Sequence, residues 1–280
     1  MFRRSRPWRY PLLLAFIVPA ASLAEPMPLA PHRTEYHLTR DGLPFAEMTM
    51  TLERGAGGSY RYQSRTRPHG ALALVNMAVE IAPNAHVSEE SSGELVAGRH
   101  RPKRYRFRWH NAESRELTID FDWASQRALT TSEGQPWSME IPVGTLDKLA
   151  VLLALRQDLG DGKQDLTYRV ADGGKLKSYR YRAAGTTKIT TSAGTWDCIE
   201  LSRTKDGSPV DYRLWLAPTL DYLPVLVERE EKSMHSGRLI AGFFNRFRAP
   251  SFTPHSTAVA VRGRREGTAP SGVRSIRLGK

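Results

Sequence analysis

Apolar and polar residues alternate at every second position along most of this chain, the period of a half-buried β-strand. The clearest stretch is Arg104-Tyr105-Arg106-Phe107-Arg108-Trp109-His110, with the aromatic residues on one side and the basic ones on the other. The pattern resumes over 116–123, where Leu117, Ile119, Phe121 and Trp123 share one face and Thr118, Asp120 and Asp122 the other. The two runs predict a β-hairpin. A register that keeps the apolar faces together can set Arg106 opposite Asp120 and Arg104 opposite Asp122, giving a core face and a solvated charge ladder. Comparable runs predict strands over 35–40, 47–53, 60–67, 165–170, 177–182, 186–191, 196–204, 210–216, 225–230 and 238–246. Their links are mostly short and rich in Gly, Asp, Pro and Ser, so sequential antiparallel pairing is expected.

One segment breaks the alternation. Thr145 is placed to cap a helix over about 146–158, and Gly160 to end it. Leu146, Leu149, Ala150, Leu153 and Gln157 follow helical spacing, and Leu152 and Leu155 widen the apolar stripe. A helix this apolar must be buried, packed on the concave side of the sheet between an N-terminal and a C-terminal set of strands.

The ends of the chain differ from its middle. Arg3, Arg4, Arg6 and Arg9 precede a short apolar run, Leu12 to Val18, and then Ser22-Leu23-Ala24. Basic, apolar, then small-x-small is the layout of a cleaved secretory signal, so residues 1–24 are read as a leader and the chain as periplasmic or secreted. The apolar run, interrupted by Pro11 and Pro19, is too short to span a bilayer as a helix. No cysteine lies near residue 25, so a lipid-anchored N-terminus is not expected. Residues 25–249 are read as a single β-rich domain. Residues 250–280, with repeated Pro and Gly and six basic residues against one Glu, read as a disordered basic tail able to contact an anionic membrane surface weakly. The net charge of +12 resides mainly in these two ends, so it is no argument for a nucleic-acid partner. Cys198 is the sole cysteine; it excludes an internal disulfide and reads as a buried structural thiol.

Motifs for catalysis are sparse. The sequence has no Gly-x-Ser-x-Gly elbow, His-Glu-x-x-His or Gly-rich phosphate loop, and its His residues are scattered. His32 and His37 fall on opposite faces of a strand, which argues against a shared metal. Ser202-Arg203-Thr204-Lys205 matches Ser-x-x-Lys, but a strand would point Ser202 and Lys205 apart. Asp120 and Asp122 form a carboxylate pair of glycosidase type, better explained as partners for the facing arginines. The aromatic content is more suggestive. Tyr105, Phe107, Trp109, Phe121, Trp123, Trp196 and Trp215 would line the inside of a curved sheet, as core or as the wall of an apolar cavity, with Met48, Met50 and Met77 as adaptable surface.

Several short motifs then occur in order: Tyr36 before the turn Asp41-Gly42, Pro102 to Phe107, Ile141-Pro142-Val143-Gly144-Thr145-Leu146-Asp147, Ala193 to Trp196, Leu214-Trp215-Leu216-Ala217-Pro218, and Leu220-Asp221-Tyr222-Leu223-Pro224-Val225. This ordered set, over residues 30–245, resembles the bacterial envelope family catalogued as domain of unknown function 3108. The resemblance implies a mainly β fold, a curved antiparallel sheet forming an open or half barrel around one buried α-helix, broadly similar to open-barrel periplasmic lipoprotein carriers. It carries no catalytic residues and no cofactor. The expected activity is binding, without catalysis, of a lipid, lipidated chain or hydrophobic peptide on the concave face, by Tyr105, Phe107, Trp109, Phe121, Trp123, Leu149, Leu153 and Trp215. The competing expectations are an envelope interaction module docking a partner through edge strands or an exposed Tyr222-Leu223 loop, and, with least support, a hydrolase.

Overall fold

The computed structural model describes residues 29–40, 43–68, 86–110, 115–191, 193–205, 210–231, 239–246 and 264–265. The expected leader, 1–24, and, apart from Arg264 and Arg265, the expected tail, 250–280, lie outside this set. A first antiparallel meander runs through β1 (His32–Arg40), β2 (Leu43–Arg54), β3 (Ser59–Pro68), β4 (His86–Val96), β5 (Arg99–His110), β6 (Arg115–Asp122), β7 (Arg127–Ser132) and β8 (Gln135–Glu140). The helix α1 (Ala150–Gly160) follows. A second meander comprises β9 (Leu166–Asp172), β10 (Lys175–Thr191), β11 (Gly194–Lys205), β12 (Val210–Ala217) and β13 (Leu223–Glu231). Strand β14 (Leu239–Arg246) stitches the two together by lying between β13 and β1. The two-residue β15 (Arg264–Arg265) pairs with Ile189 and Thr190 of β10.

The outcome is one continuous antiparallel sheet that curls around the helix as an open barrel. Among the described residues β8 and β9, at its two margins, do not pair with each other. The seam between them is held in other ways. Leu146 forms a parallel bridge to Val170, donating its N–H to the Arg169 carbonyl at 2.9 Å and accepting from Ala171 N–H at 2.8 Å. The Trp137 indole of β8 donates to the Gly174 carbonyl at 3.2 Å. Gly173-Gly174 is a two-residue turn with both φ positive, as are Ala97-Gly98 and Glu133-Gly134; such primed turns follow the twist of the strands they join. At Gly174 a Cβ would also lie 2.0 Å from the Trp137 indole nitrogen. Gly174→Ala is therefore expected to lower stability by about 2 kcal/mol, read by chemical denaturation, whereas Gly134→Ala, open to solvent, costs about 1 kcal/mol.

Two local expectations are corrected. The β5–β6 hairpin pairs Arg104 with Asp120, at 2.5 Å, and Arg106 with Thr118, a slip of two residues that keeps the same faces inward. Asp122 is spent on the following turn, where it accepts from the Ser125 hydroxyl at 2.6 Å and from the Ala124 and Ser125 backbone. Arg106 and Arg108 turn to Glu116 instead. The helix begins at Ala150, not Leu146, because Leu146 is held in its bridge to β9 and the Thr145 hydroxyl donates to the Pro142 carbonyl at 2.7 Å. Asp147 takes the capping role, accepting from Leu149 and Ala150 N–H, both at 2.8 Å.

The helix plugs one end of the barrel and contributes to two cores. Leu149 and Leu153 join a core built from β1–β3, β5–β7 and the Trp215 face of β12. Ala150, Val151 and Leu155 join a second core with Tyr168, Tyr179, Tyr181, Leu201, Leu214 and Leu216. Alternation along β12 thus buries both of its faces. The polar positions of α1 are buried too. Arg156 donates to the Asp221 carbonyl at 2.9 Å and contacts His32 Nε2 at 3.0 Å, while His32 Nδ1 meets the Ala30 carbonyl. Gln157 bridges His100 and the Gly98 carbonyl, and Asp158 gathers Arg99, Lys163 and Tyr168.

Burial, reinforced by Arg156, lowers His32 to about 4; burial likewise lowers His100 to about 4. Burial raises Asp147 to about 6. The signs oppose. Each histidine binds its proton more readily unfolded, so its contribution is full above pH 6.5 and is lost as pH falls toward 4; Asp147 binds its proton more readily folded, so its contribution grows as pH falls through 6. Two histidines outweigh one carboxyl. Stability is expected to fall between about pH 7 and about pH 5, and the double variant His32→Gln/His100→Gln to flatten or reverse that slope, read as denaturation midpoint against pH.

Candidate ligand-binding cup

Residues opposite one another on neighbouring antiparallel strands share a face, so the registers define successive rows across the inner wall. The deep row, nearest the helix, is Leu52, Tyr62, Ser91, Tyr105, Ile119 and Thr130, all buried. The middle row is Met50, Ser64, Glu89, Phe107, Leu117 and Ser132; the first two are buried and the rest half-buried. The outer row is Met48, Thr66, Val87, Trp109 and Arg115, which runs from half-buried to exposed. Along β3 to β6 burial therefore falls row by row away from the helix, whereas on β2 Ala46, one row further out, is buried. The barrel is plugged at the helix end and opens as a cup at the other.

The sequence-derived candidates divide accordingly. Tyr105, Phe121, Leu149, Leu153 and Trp215 are buried and pack in the core. Trp215 is fully enclosed, its indole donating to Glu200 at 3.1 Å. Trp123 is half-buried, stacks on Phe121 and donates to the Pro102 carbonyl at 2.7 Å, at the helix end. Phe107, half-buried, and Trp109, 41% exposed, stand in the cup wall. Leu38, Met48 and Leu117 continue that apolar wall. Met77 lies outside the described residues.

Two residues that the alternation did not single out complete the site. Lys148, just before α1, reaches into the barrel with its ammonium 5.7 Å from the Tyr105 ring centre and 5.6 Å from that of Phe107. Glu89, from the middle row, lies 3.6 Å from it and accepts the Tyr105 hydroxyl at 2.6 Å. Their side chains are 35% and 24% exposed. Beneath them Tyr60 meets Ser91 at 3.1 Å, and Ser91 donates to Asp147 at 2.6 Å. The Tyr105 phenol is held neutral, its ionisation pushed far up by burial and then by Glu89. The inner wall thus sets Phe107 and Leu117 beside the Lys148–Glu89 pair and Trp109 one row further out, where Thr66 and Arg115 also lie.

The other candidate chemistries disperse. Asp120 is engaged by Arg104, and Asp122 by its own turn. Among the described residues no three His, Cys, Asp or Glu gather as a metal site. Cys198 is buried, and burial pushes its thiol up to about 12. Leu223 is also buried, which corrects the expectation of an exposed Tyr222-Leu223 loop: Leu223 packs in the core with Leu220 and Val225. A cavity of about 590 Å³ lies apart from the cup, at the seam, between Ser125, Gln126, Arg127, Glu140, Ile141, Pro142 and Leu176. It follows from the unpaired sheet margin and brings no candidate residues together.

A mainly β, open-barrel protein with a helix plug is the class that these features define. The chain belongs to the family described as "Protein of unknown function (DUF3108)", which matches residues 35–233. The fold is similar to the crystal structure of a β-barrel-like protein of the domain of unknown function DUF1849 from Brucella abortus, with a TM-score of 0.52 and 9% identity, covering 78% of this chain and 97% of that one. No curated protein matches.

The division between core and cup has a direct test. Trp215→Ala is expected to cost about 3–5 kcal/mol in a denaturant titration, and Trp109→Ala less than about 1 kcal/mol. Equal losses would mean that Trp109 belongs to the core.

Proposed function

We propose that this protein is exported to the periplasm and there binds an apolar or amphipathic ligand, such as a lipid, a lipidated chain or a hydrophobic peptide, in the cup and without catalysing a reaction. The observation that carries the reading is the graded exposure of the inner wall: Phe107 and Leu117, beside the Lys148–Glu89 pair, and Trp109, one row further out, remain partly open. Each methylene buried there contributes roughly 0.8 kcal/mol, so an acyl chain needs only a short groove to be held. The methionine Met48 lets the wall adapt to an irregular guest. The leader-like N-terminus supports the address, and the basic tail is suited to weak contact with an anionic membrane surface.

Docking of a partner by strand addition has less support. The margin strand β8 is only six residues long, carries Pro136 without an N–H, and folds Trp137 onto the β9–β10 turn. These are the devices that blunt a sheet edge against pairing.

Native mass spectrometry of the protein recovered from an expressing cell's envelope, with organic extraction of the same sample, is expected to show a discrete adduct that extracts as an amphiphile. Uptake of an apolar naphthylamine fluorophore should fall about tenfold in Phe107→Asp. A clean unliganded mass with no probe uptake would overturn the reading.

A further inference from the structure

The floor of the cup specifies the head group of the ligand, an inference that rests on the binding reading above. Lys148 brings three N–H donors on one positive charge. Among the described residues its ammonium has no hydrogen-bond acceptor within reach. Glu89 stands at 3.6 Å, and the same oxygen already accepts the Tyr105 hydroxyl. The aromatic faces of Tyr105 and Phe107 steady the cation without using its donors. The Lys148 side chain is partly exposed.

We infer that the cup takes its amphiphile head-first, with Lys148 pairing a singly charged anionic head such as a carboxylate and the chain running outward along Phe107, Leu117 and Trp109. A cationic head would meet Lys148 in repulsion, and a doubly charged one would set its surplus charge against Glu89. Phe107 and Leu117 flank Glu89 in the middle row and Trp109 stands one row further out, with Arg115 beside it at 5.8 Å, so the chain lies beside and above the head. Glu89 opposes the ligand's charge and so moderates its affinity. This gives the site a signature with two signs.

The test compares dodecanoate, dodecanol and dodecyltrimethylammonium on the full chain by displacement of the naphthylamine probe. Dodecanoate is expected to bind about tenfold more tightly than dodecanol, and the ammonium amphiphile more weakly than either. Lys148→Met should remove the preference for the acid while leaving dodecanol within about twofold, and Lys148→Arg should keep it. Glu89→Gln, which retains an acceptor for Tyr105, should tighten dodecanoate alone. Equal binding of acid and alcohol by the unaltered chain, or a Glu89→Gln variant that weakens the acid, overturns the head assignment and leaves the cup reading standing. Failure of every amphiphile to bind removes the cup reading, and the assignment with it.

Discussion

The seating of one carboxylate decides how this barrel is plugged. Asp147 is fully buried, yet it accepts two backbone N–H groups at the start of α1 and the Ser91 hydroxyl of β4. A buried acid without such partners would be far more costly than any contact it made. With them it ties the helix start to the first meander, while its neighbour Leu146 ties the same segment to β9 of the second. Among the described residues the sheet margins do not pair, so this short connection does what a closing pair of strands does in a full barrel. Lys148, next in the chain, is aimed into the interior by the same anchoring.

Much of the fold was legible because most strands are half-buried, and half-burial writes itself as alternation. The hairpin around Phe107 and Phe121 and the strands from Leu166 onward showed it, and the buried helix stood out by breaking it. The strand β4 did not. Its sequence His86-Val87-Ser88-Glu89-Glu90-Ser91-Ser92-Gly93 has no apolar period, because Glu89 and Ser91 face inward to satisfy Tyr105 and Asp147. Local pattern reports burial, and these positions are polar inside. The short strands β7 and β8 were missed for a related reason: with few apolar residues each, they are strands by pairing rather than by propensity.

The candidate site was legible by half. Alternation finds which residues face inward but not how deep they lie, so Tyr105 and Trp109 look equivalent although one is sealed and the other open. Depth depends on the register and on where the helix stops. Lys148 and Glu89 gave no signal at all. A lysine beside an apolar helix ordinarily reads as solvent-facing, and a glutamate in a serine-rich run as loop. The one clue was indirect: the motif ending in Thr145-Leu146-Asp147 precedes a lysine, and Asp147 proved to be the buried anchor that fixes where that lysine points.

The stitching strand carries a consequence for how the molecule comes into being. Arg33 of β1 pairs with Arg246 of β14, so the first strand made finds one of its two neighbours only when the last long strand arrives. Contacts of such sequence separation are slow to form, since the loop between them must be closed before they repay it. A chain that emerges N-terminus first must therefore hold β1 with one side unpaired through nearly all of its synthesis, and through its passage across a membrane if it is exported. The polar outward faces of β1 and β2, with Arg33, Glu35 and Glu47, keep that waiting edge solvated. Assembly is thus last-come, first-joined: until β14 arrives the two meanders are separate sheets, and the barrel exists only when the end of the domain meets its beginning.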